Sequence, residues 1–354
     1  MNSSTRLEPN SPQPQVTLVV VPRERFSLVQ TSLESVYTHT QIPFDLIYID
    51  GNSPPYVRRY LQQQAQERQF QLLRLDHYLS PNQARNLGWK QVRTPYLVFL
   101  DNDVIVSPGW LQSLVECAET TGAGIVGPLV CEGEPIHQKV HCAGGENHIW
   151  QDRLGTRHLR EKMYSQGKTV DQVLPHLQRQ PTELIEFHCM LVRTNLRDQV
   201  GLLDEGMLNT KEHLDFCMTT LQAGQRVYFE PSSLVTYVPG SPTTWGDLVY
   251  YMLRWSDQWQ LASLEHLRRK WDLAEDGYFK TKLHKLGWRR RMTIWTPLNR
   301  KLTRGRTSQR LNRWVFEPLD QVLTRWITTQ HQRHLPLPVT SAPVSEPALT
   351  ASRR

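Results

Sequence analysis

An acidic triplet follows an apolar run in the first third of the chain. The run Tyr96–Leu100 is typical of a buried strand, and Asp101-Asn102-Asp103 comes directly after it. Two carboxylates one residue apart repel each other, and a divalent cation relieves that repulsion. Carboxylate oxygens are the ligands that Mg²⁺ and Mn²⁺ prefer. The triplet therefore indicates a metal site, and the alternative is a solvated loop with two turn-forming acids.

A second group of chemically active side chains lies at Glu212-His213-Leu214-Asp215. A carboxylate or a neutral imidazole can remove the proton of a hydroxyl group, so Glu212, His213 and Asp215 are the candidate general bases. On a helix running to Ala223, Glu212 and Asp215 are three residues apart and share a face, as a base and an acceptor clamp would. The alternative is a helix N-terminus that carries acids because the macrodipole favours them.

Alternating strands and helices must position these residues. We expect strands at 16–21, 44–49, 71–75 and 96–100, and helices at about 24–37, 55–67 and 82–91. This alternation predicts a Rossmann-like, mostly parallel sheet with ligands at the carboxyl ends of its strands. Asp50 and the acids at 101–103 fall at such ends. The chain lacks the glycine motifs of dinucleotide-binding and P-loop proteins, which weakens both interpretations.

The elements beyond the triplet are less regular. Ser107-Pro108 predicts a helix start with Ser107 as N-cap, and Ile125–Pro128 predicts another strand. We expect a surface loop at His137–His148, where no spacing matches a metal-ligand pattern, and an insertion or acceptor-side loop at Asp152–Pro181. A strand is expected at Glu186–Arg193, with His188 as either a site residue or a core histidine.

Eight short motifs follow one another in the first two thirds of the chain. They are Val-Val-Val-Pro22-Arg-x-Arg, Ile49-Asp50-Gly-Asn-Ser53, Asn82-x-Ala-Arg85-Asn86-x-Gly88, Phe99-Leu100-Asp101-Asn-Asp103, Pro108-Gly-Trp110-Leu111, Val200-Gly201-x-Leu203-Asp204-Glu205, Glu212-His213-x-Asp215-Phe216 and Ala223-Gly224-Gln-Arg-Val-Tyr228-Phe-Glu-Pro231. In this order they resemble family 2 glycosyltransferases of the GT-A fold. The resemblance covers about residues 16–240 and implies a mixed, mostly parallel sheet flanked by helices.

The resemblance assigns roles to the residues at the strand ends. It implies that Pro22, Asp50, Asn52, Arg85 and Asp101 bind the nucleotide part of a nucleotide-sugar donor, with Asp50 on the nucleoside. Asp101 is then near the ribose or the metal. Asp103 coordinates Mg²⁺ or Mn²⁺ across the diphosphate, where the ion neutralises the charge of the leaving group. For Arg85 a structural pair with a nearby carboxylate is an equal alternative.

Two positions depart from the family pattern. His213 stands where a second acid is expected, so the base is Glu212, Asp215 or His213 itself. Tyr237 stands where the family often has a metal-binding histidine. The metal therefore has one protein ligand fewer, or His213 compensates for the missing histidine.

The implied activity is metal-dependent, inverting transfer of a sugar from a nucleotide-diphosphate donor to a hydroxyl acceptor that is a sugar, a lipid-linked group or another molecule. Polysaccharide or glycolipid synthesis is the expected setting. The alternatives are a sugar-nucleotide nucleotidyltransferase and a degenerate, non-catalytic sugar- or nucleotide-binding protein.

The charge of the chain is concentrated near its C-terminus. The net charge is +7, but 13 of the 41 Lys and Arg and only two of the 34 Asp and Glu lie between residues 281 and 334. Basic residues mixed with Trp predict peripheral contact with an anionic membrane, and a solvated basic helix is the alternative. No motif in the sequence supports binding to nucleic acid.

Composition and patterning also divide the chain. We expect a disordered lead at 1–15, the GT-A domain at 16–240, a helical basic extension at 241–333 and a disordered tail at 334–354. The five scattered cysteines suit reduced thiols in a cytoplasmic protein, which is either free or at the inner face of a membrane. No signal peptide and no transmembrane run is expected.

Overall fold

The chain, seen in a computed structural model, is described over residues 13–240 and 244–334. The strands are β1 (Val16–Val21), β2 (Phe44–Gly51), β3 (Gln71–Leu75), β4 (Tyr96–Asp101), β5 (Val104–Val106), β6 (Ile125–Glu132), β7 (Val140–Cys142), β8 (Gly145–Gln151), β9 (Arg157–Met163), β10 (Gln180–Pro181), β11 (Cys189–Arg193) and β12 (Val227–Tyr237). The predicted lead and tail lie almost entirely outside the described residues.

Helices connect and flank these strands. They are α1 (Val29–His39), α2 (Pro55–Arg68), α3 (Pro81–Trp89), α4 (Trp110–Thr121), α5 (Val170–Val173), α6 (Arg197–Val200), α7 (Glu212–Gln222), α8 (Trp245–Arg254), α9 (Asp257–Lys270), α10 (Gly277–His284), α11 (Trp288–Arg290), α12 (Thr296–Leu302), α13 (Gln309–Leu311) and α14 (Glu317–His334). None of the described helices has both the length and the apolar character needed to span a bilayer.

The strands form one large mixed sheet. Its order is β10-β12-β6-β11-β4-β1-β2-β3, with β5 beside β12 and β7 beside β6. The pairs β1–β2, β1–β4, β2–β3 and β12–β6 are parallel, whereas β11 runs antiparallel to both β4 and β6. The predicted mixed, mostly parallel sheet is therefore confirmed. Because β11 is reversed, its first residues lie at the carboxyl end of β4.

Both faces of the sheet are buried. Leu18 and Val20 of β1 pack into the apolar cluster on one side, and Val19 and Val21 pack into the cluster on the other. Successive side chains of a strand point to opposite faces, so a strand that is covered on both sides reads as a continuous apolar run. This burial is why the first strand could be located from sequence alone.

Several predicted boundaries were wrong. The first helix begins at Val29 rather than at residue 24, because residues 22–28 form a loop over the acidic triplet. The helix after β5 begins at Trp110 with Gly109 (φ +78°) in the cap position, so Ser107 is not its N-cap. The predicted helical extension begins with two helices, α8 and α9, and Ser256 caps the second by accepting a hydrogen bond from the backbone of Trp259.

The segment predicted as a surface loop is largely strand. His137–His148 contains β7 and the start of β8, and β8 pairs with β9 in a separate antiparallel hairpin. The side chain of His141 is only 12% exposed. The prediction failed because short strands of polar residues lack the alternation that marks a half-buried strand.

The C-terminal helices pack against the carboxyl edge of the sheet. They have a small apolar cluster of their own, which includes Met252, Trp259, Trp295 and Phe316. Polar contacts also join them to the hairpin and to α7, because Asp276 pairs with His158 and Lys270 pairs with Asp215. The basic extension therefore forms part of the wall above the strand ends.

Candidate active site

The acidic triplet at the end of β4 is tied to the loop that follows β1. The side-chain oxygen of Asn102 accepts a hydrogen bond from the backbone N–H of Arg23, and its amide group donates to the carbonyl of Arg25. These bonds satisfy both ends of a buried amide. Asn102 therefore fixes the loop over its two acidic neighbours, Asp101 and Asp103.

Asp101 is fully buried among cationic partners. Its two oxygens each lie 3.0 Å from an arginine, Oδ2 from Arg23 and Oδ1 from Arg85, and Nδ1 of His188 is 3.3 Å from Oδ2. Burial alone would raise the pKa of Asp101, but His188, Arg85 and Arg23 together hold it well below its usual range. Both oxygens are thus already engaged, and the structural pair expected as one alternative for Arg85 is present.

Asp103 has the opposite environment. It is fully buried, and neither carboxylate oxygen has a hydrogen-bond partner among the described residues. Burial, followed by the charge of Glu24, raises the pKa of Asp103 well above its ordinary value. An unpaired buried carboxylate is costly unless a cation compensates it. Asp103 therefore fits the divalent ion that the resemblance implies, whereas Asp101 has no free oxygen to offer in this arrangement.

A layer of side chains covers Asp103. Glu24 accepts hydrogen bonds from the Tyr237 hydroxyl at 2.5 Å and the Trp255 indole at 3.0 Å, and Arg289 lies 3.5 Å from it. Burial would raise the pKa of Glu24, but Arg289 and Arg23 lower it. Arg289 belongs to the basic C-terminal segment, so that segment reaches the centre of the site.

Tyr237 takes the place at which a metal-binding histidine was expected. Its ring stacks on that of His188, with 4.2 Å between the ring centroids. His188, and not His213, is the imidazole whose ligand atom lies within 4.8 Å of the acids Asp101 and Asp103. Burial and the charge of Arg23 lower the pKa of His188 to about 4, so the ring is neutral at physiological pH.

A cavity of about 260 Å³ opens above this layer. Its wall combines five cationic side chains with three carboxylates, two imidazoles and an indole: Arg23, Lys211, Arg254, Lys282, Arg289, Glu161, Glu186, Glu212, His141, His213 and Trp255. The cations have acidic partners; Glu161, for example, lies 2.7 Å from Lys211 and 3.3 Å from Lys282. The cavity is therefore polar and highly charged, and its wall carries two more cationic side chains than carboxylates.

The three candidate bases do not lie together. Glu212 and His213 line the cavity, whereas Asp215 is turned toward the C-terminal helices, where Trp271 and Lys270 donate to its two oxygens at 2.8 Å. Burial would raise the pKa of Glu212, but Arg254 at 3.2 Å and Arg85 at 3.9 Å lower it. Of the candidates, only Glu212 and His213 can meet a ligand in the cavity.

The predicted nucleoside side lies at the ends of β1 and β2. Asp50 is buried, and its oxygens accept hydrogen bonds from the backbone N–H of Ser53 and from Arg74 at 2.6 Å. The carbonyl of Pro22 accepts a hydrogen bond from the Tyr250 hydroxyl. Asn52, at φ +62°, borders a mostly apolar cavity of about 350 Å³ that Trp326 of α14 also lines.

Several residues of the site escaped the sequence analysis. Glu24, Glu186, Arg254 and Arg289 all contact the cavity or the layer beneath it. Glu24 stands at the unspecified position of the first quoted motif, next to Arg23, which was a usable signal. The other three come from separate segments that only the folded chain brings together, and no local spacing marks them.

Comparisons with known proteins agree with this geometry. Residues 17–169 match the model of glycosyl transferase family 2. Pre-mycofactocin glycosyltransferase from two strains of Mycobacterium tuberculosis is 28% identical over 167 residues, which are 47% of this chain and 32% of that protein. The O-antigen biosynthesis protein RfbC of Myxococcus xanthus is 32% identical over 117 residues, 32% of this chain and 9% of that protein. The chain thus spans a third or less of these relatives.

A solved structure shares the fold. The crystal structure of GalNAc-T7 with UDP, GalNAc and Mn²⁺ matches with a TM-score of 0.50 and 14% identity, and the match covers 87% of this chain and 57% of that one. At this identity the match establishes the GT-A fold alone. Its coverage extends beyond the residues that the family model matches.

Proposed function

We propose that this chain moves a sugar from a nucleotide-diphosphate donor to an acceptor hydroxyl, a proposal supported by the match of residues 17–169 to the model of glycosyl transferase family 2. The observation that carries the proposal is Asp103, a buried carboxylate without a partner at the end of β4, beneath a charged cavity that contains two candidate bases. The carboxylate at this strand end would hold the ion that stabilises the leaving group, and a base across the cavity would accept the proton of the acceptor hydroxyl. Together they would serve glycosyl transfer with inversion.

The charge balance of the site supports metal dependence. The cavity and the residues beneath it contain equal numbers of carboxylates and cationic side chains. The six carboxylates are those of Glu24, Asp101, Asp103, Glu161, Glu186 and Glu212, and the six cationic side chains are those of Arg23, Arg85, Lys211, Arg254, Lys282 and Arg289. A dianionic diphosphate would therefore enter a site whose cations are already paired. Asp103 would hold a divalent ion there, and that ion would restore the balance and supply charge that stabilises a departing nucleoside diphosphate.

The chain's own residues then carry the remaining steps. Arg23 and Arg289 line the cavity, where they can orient the diphosphate, and Asp101 holds Arg23 and Arg85 in place. Glu212 or His213 accepts the proton of the acceptor hydroxyl on the face opposite the leaving group, and that arrangement inverts the anomeric centre. Asp215 joins α7 to the C-terminal helices through its hydrogen bonds with Lys270 and Trp271.

We also propose that the basic C-terminal segment contacts an anionic membrane, which would bring the site to a lipid-linked acceptor. Nine large apolar side chains between residues 288 and 326 are exposed: Trp288, Met292, Leu298, Leu302, Trp314, Val315, Leu319, Val322 and Trp326. Ten Lys and Arg and two acids share this stretch. Exposed apolar groups among basic residues suit an anionic bilayer surface.

A donor panel tests the proposed activity. Purified protein would be incubated with UDP-, GDP- and dTDP-sugars and Mn²⁺ or Mg²⁺, with candidate acceptors, and products identified by mass spectrometry and by the anomeric proton in NMR. We expect a nucleoside diphosphate and a glycoside of inverted configuration. Pyrophosphate release from a nucleoside triphosphate would instead identify a nucleotidyltransferase. Donor binding without turnover on any acceptor would identify a non-catalytic binding protein.

A further inference from the structure

Three side chains converge beside the acidic triplet but do not belong to it. His141 of β7, Glu186 and His188 each offer one ligand atom, and these three atoms lie within 4.8 Å of one another. His141 is 12% exposed at its side chain, Glu186 is 8% exposed and His188 is fully buried. The reversed direction of β11 brings Glu186 and His188 to the same sheet edge as β7.

Both imidazoles face a carboxylate with the same ring nitrogen. Nδ1 of His141 is hydrogen-bonded to Glu132 at 3.0 Å, and Nδ1 of His188 lies 3.3 Å from Asp101. The hydrogen bond of His141 to Glu132 places the proton of that ring on Nδ1 and leaves the lone pair on Nε2, and the closeness of Nδ1 of His188 to Asp101 favours the same tautomer. Metal-binding histidines are commonly oriented in this way by an outer carboxylate.

The inner atoms make few polar contacts. Both ring nitrogens of His188 are buried without a hydrogen bond among the described residues. Glu186 Oε1 is 3.9 Å from Nε2 of His141 and 3.5 Å from Nε2 of His213, which is too long for a hydrogen bond. Ligands around a tetrahedral ion with bonds of ~2.0 Å are separated by roughly 3.3 Å, so ligand atoms that now lie within 4.8 Å of one another would move together by up to ~1.5 Å to close the site.

We infer that His141, Glu186 and His188 form a second metal site, for Zn²⁺ or a similar borderline divalent ion. Two imidazoles and one carboxylate are the ligand set of a catalytic zinc site, which keeps a position open for water or substrate. Mg²⁺ prefers oxygen ligands, so this site and Asp103 select different ions. His141 and Glu186 line the cavity beside His213. An ion here would polarise an acceptor hydroxyl next to a candidate base.

Zinc binding by the full chain tests this inference without donor, acceptor or turnover, so it stands or fails separately from the proposed activity. Metal-free protein would be titrated with Zn²⁺ in excess Mg²⁺ by calorimetry, and bound metal counted by mass spectrometry. We expect one equivalent of Zn²⁺ in the wild type, and its loss in His141→Ala and Glu186→Gln. Glu132→Gln leaves the three ligands in place, and it should weaken binding by about 10- to 100-fold.

His148→Ala is the matched control, because His148 pairs with Glu183 on an exposed surface and should bind Zn²⁺ as the wild type does. Circular dichroism would confirm that each variant is folded. The Co²⁺ spectrum separates histidine from thiolate ligands, since Cys142 and Cys189 lie close in sequence to the proposed ligands. The inference is overturned if the wild type binds no Zn²⁺, if His141→Ala binds it equally well, or if the Co²⁺ form shows a thiolate charge-transfer band.

Discussion

The two parts of the proposed site are built in different ways. The proposed diphosphate side rests on Asp50 near the end of β2 and on Asp101 and Asp103 at or just after the end of β4, two parallel strands that flank β1. The proposed acceptor side is assembled from β7, the β8–β9 hairpin, the segment before β11, the start of α7 and the C-terminal helices. Local chain geometry therefore fixes the first side, whereas tertiary packing of distant segments fixes the second.

Substitution of the candidate general bases, Glu212 and His213, tests this comparison with the largest expected effect. We expect Glu212→Gln or His213→Ala to lower kcat by about 10²- to 10⁴-fold while donor affinity changes little, because the general base acts only on the acceptor hydroxyl. The variant with the larger loss identifies the base, and Michaelis–Menten kinetics separates kcat from KM.

Asp215→Asn is the control for that experiment. Asp215 pairs with Lys270 and Trp271 outside the cavity, so its removal should lower the melting temperature and leave kcat within about twofold. A pH profile adds a second criterion. The lowered pKa of Glu212 places the activity limb of this carboxylate base at acid pH, and Glu212→Gln should abolish that limb. Full activity in both Glu212→Gln and His213→Ala would refute the assignment.

On the diphosphate side, Asp103→Asn should stabilise the metal-free protein while removing function. Because the pKa of Asp103 is raised in the folded state, ionisation opposes folding as the pH rises above the unfolded-state pKa. We expect the variant to gain ~1–3 kcal/mol in free energy of unfolding at pH 7 in EDTA, and the gain to vanish at acid pH, where the unfolded carboxyl is also protonated. Urea denaturation at both pH values measures the difference. Lower stability of the variant at pH 7 would indicate a partner for Asp103.

Arg289 links the basic extension to the diphosphate side. Arg289→Gln should weaken donor binding by about 10-fold, because one charge-assisted contact to a phosphate is lost. Arg310→Gln is the matched control, since Arg310 is exposed and is not among the residues that line the cavity. Calorimetry with the donor that turns over gives both affinities. Equal losses of donor affinity in the two variants would mean that Arg289 contributes through the net charge of the protein and not through a contact with the donor.

The smallest expected effect concerns the outer face of the same extension. Trp314 is 73% exposed, and Trp314→Ala should reduce binding to vesicles rich in phosphatidylglycerol by several-fold. Trp150→Ala, which removes an exposed indole from β8, should bind as the wild type does. Co-sedimentation at low and high salt measures both variants. Equal binding to uncharged phosphatidylcholine vesicles would exclude the electrostatic attraction proposed here.

The sequence predicted the positions of Asp50, Asp101 and Asp103 at strand ends, because each acid comes at the end of an apolar run that can be recognised as a strand. It also offered, as one of two alternatives, the structural pair of Arg85 with a carboxylate. It missed His141 and Glu186, because a histidine on a short strand and a glutamate in a loop far from it in sequence carry no periodic signal. It misjudged the start of the first helix, because Arg23 and Glu24 are held in a loop by Asn102 rather than by local propensity.

The roles of Pro22, Asp50, Asn52 and Asp101 as ligands of the nucleotide remain predictions. Asp50 and Asp101 are both already paired with arginines, and such pairs can either hold a ligand-binding loop or exchange partners when the ligand arrives. Sequence motifs mark the position of these side chains. They do not reveal which neighbours satisfy them before a ligand binds.

The most direct test of the central claim is turnover of wild type and Asp103→Asn side by side, with nucleoside diphosphate release measured in EDTA and after Mn²⁺ is restored. We predict release only in wild type with donor, acceptor and Mn²⁺ present, and a loss of at least about 10²-fold in Asp103→Asn, since the ligand of the charge-stabilising ion is removed. Turnover in EDTA equal to that in Mn²⁺, or full activity in Asp103→Asn, would contradict the claim.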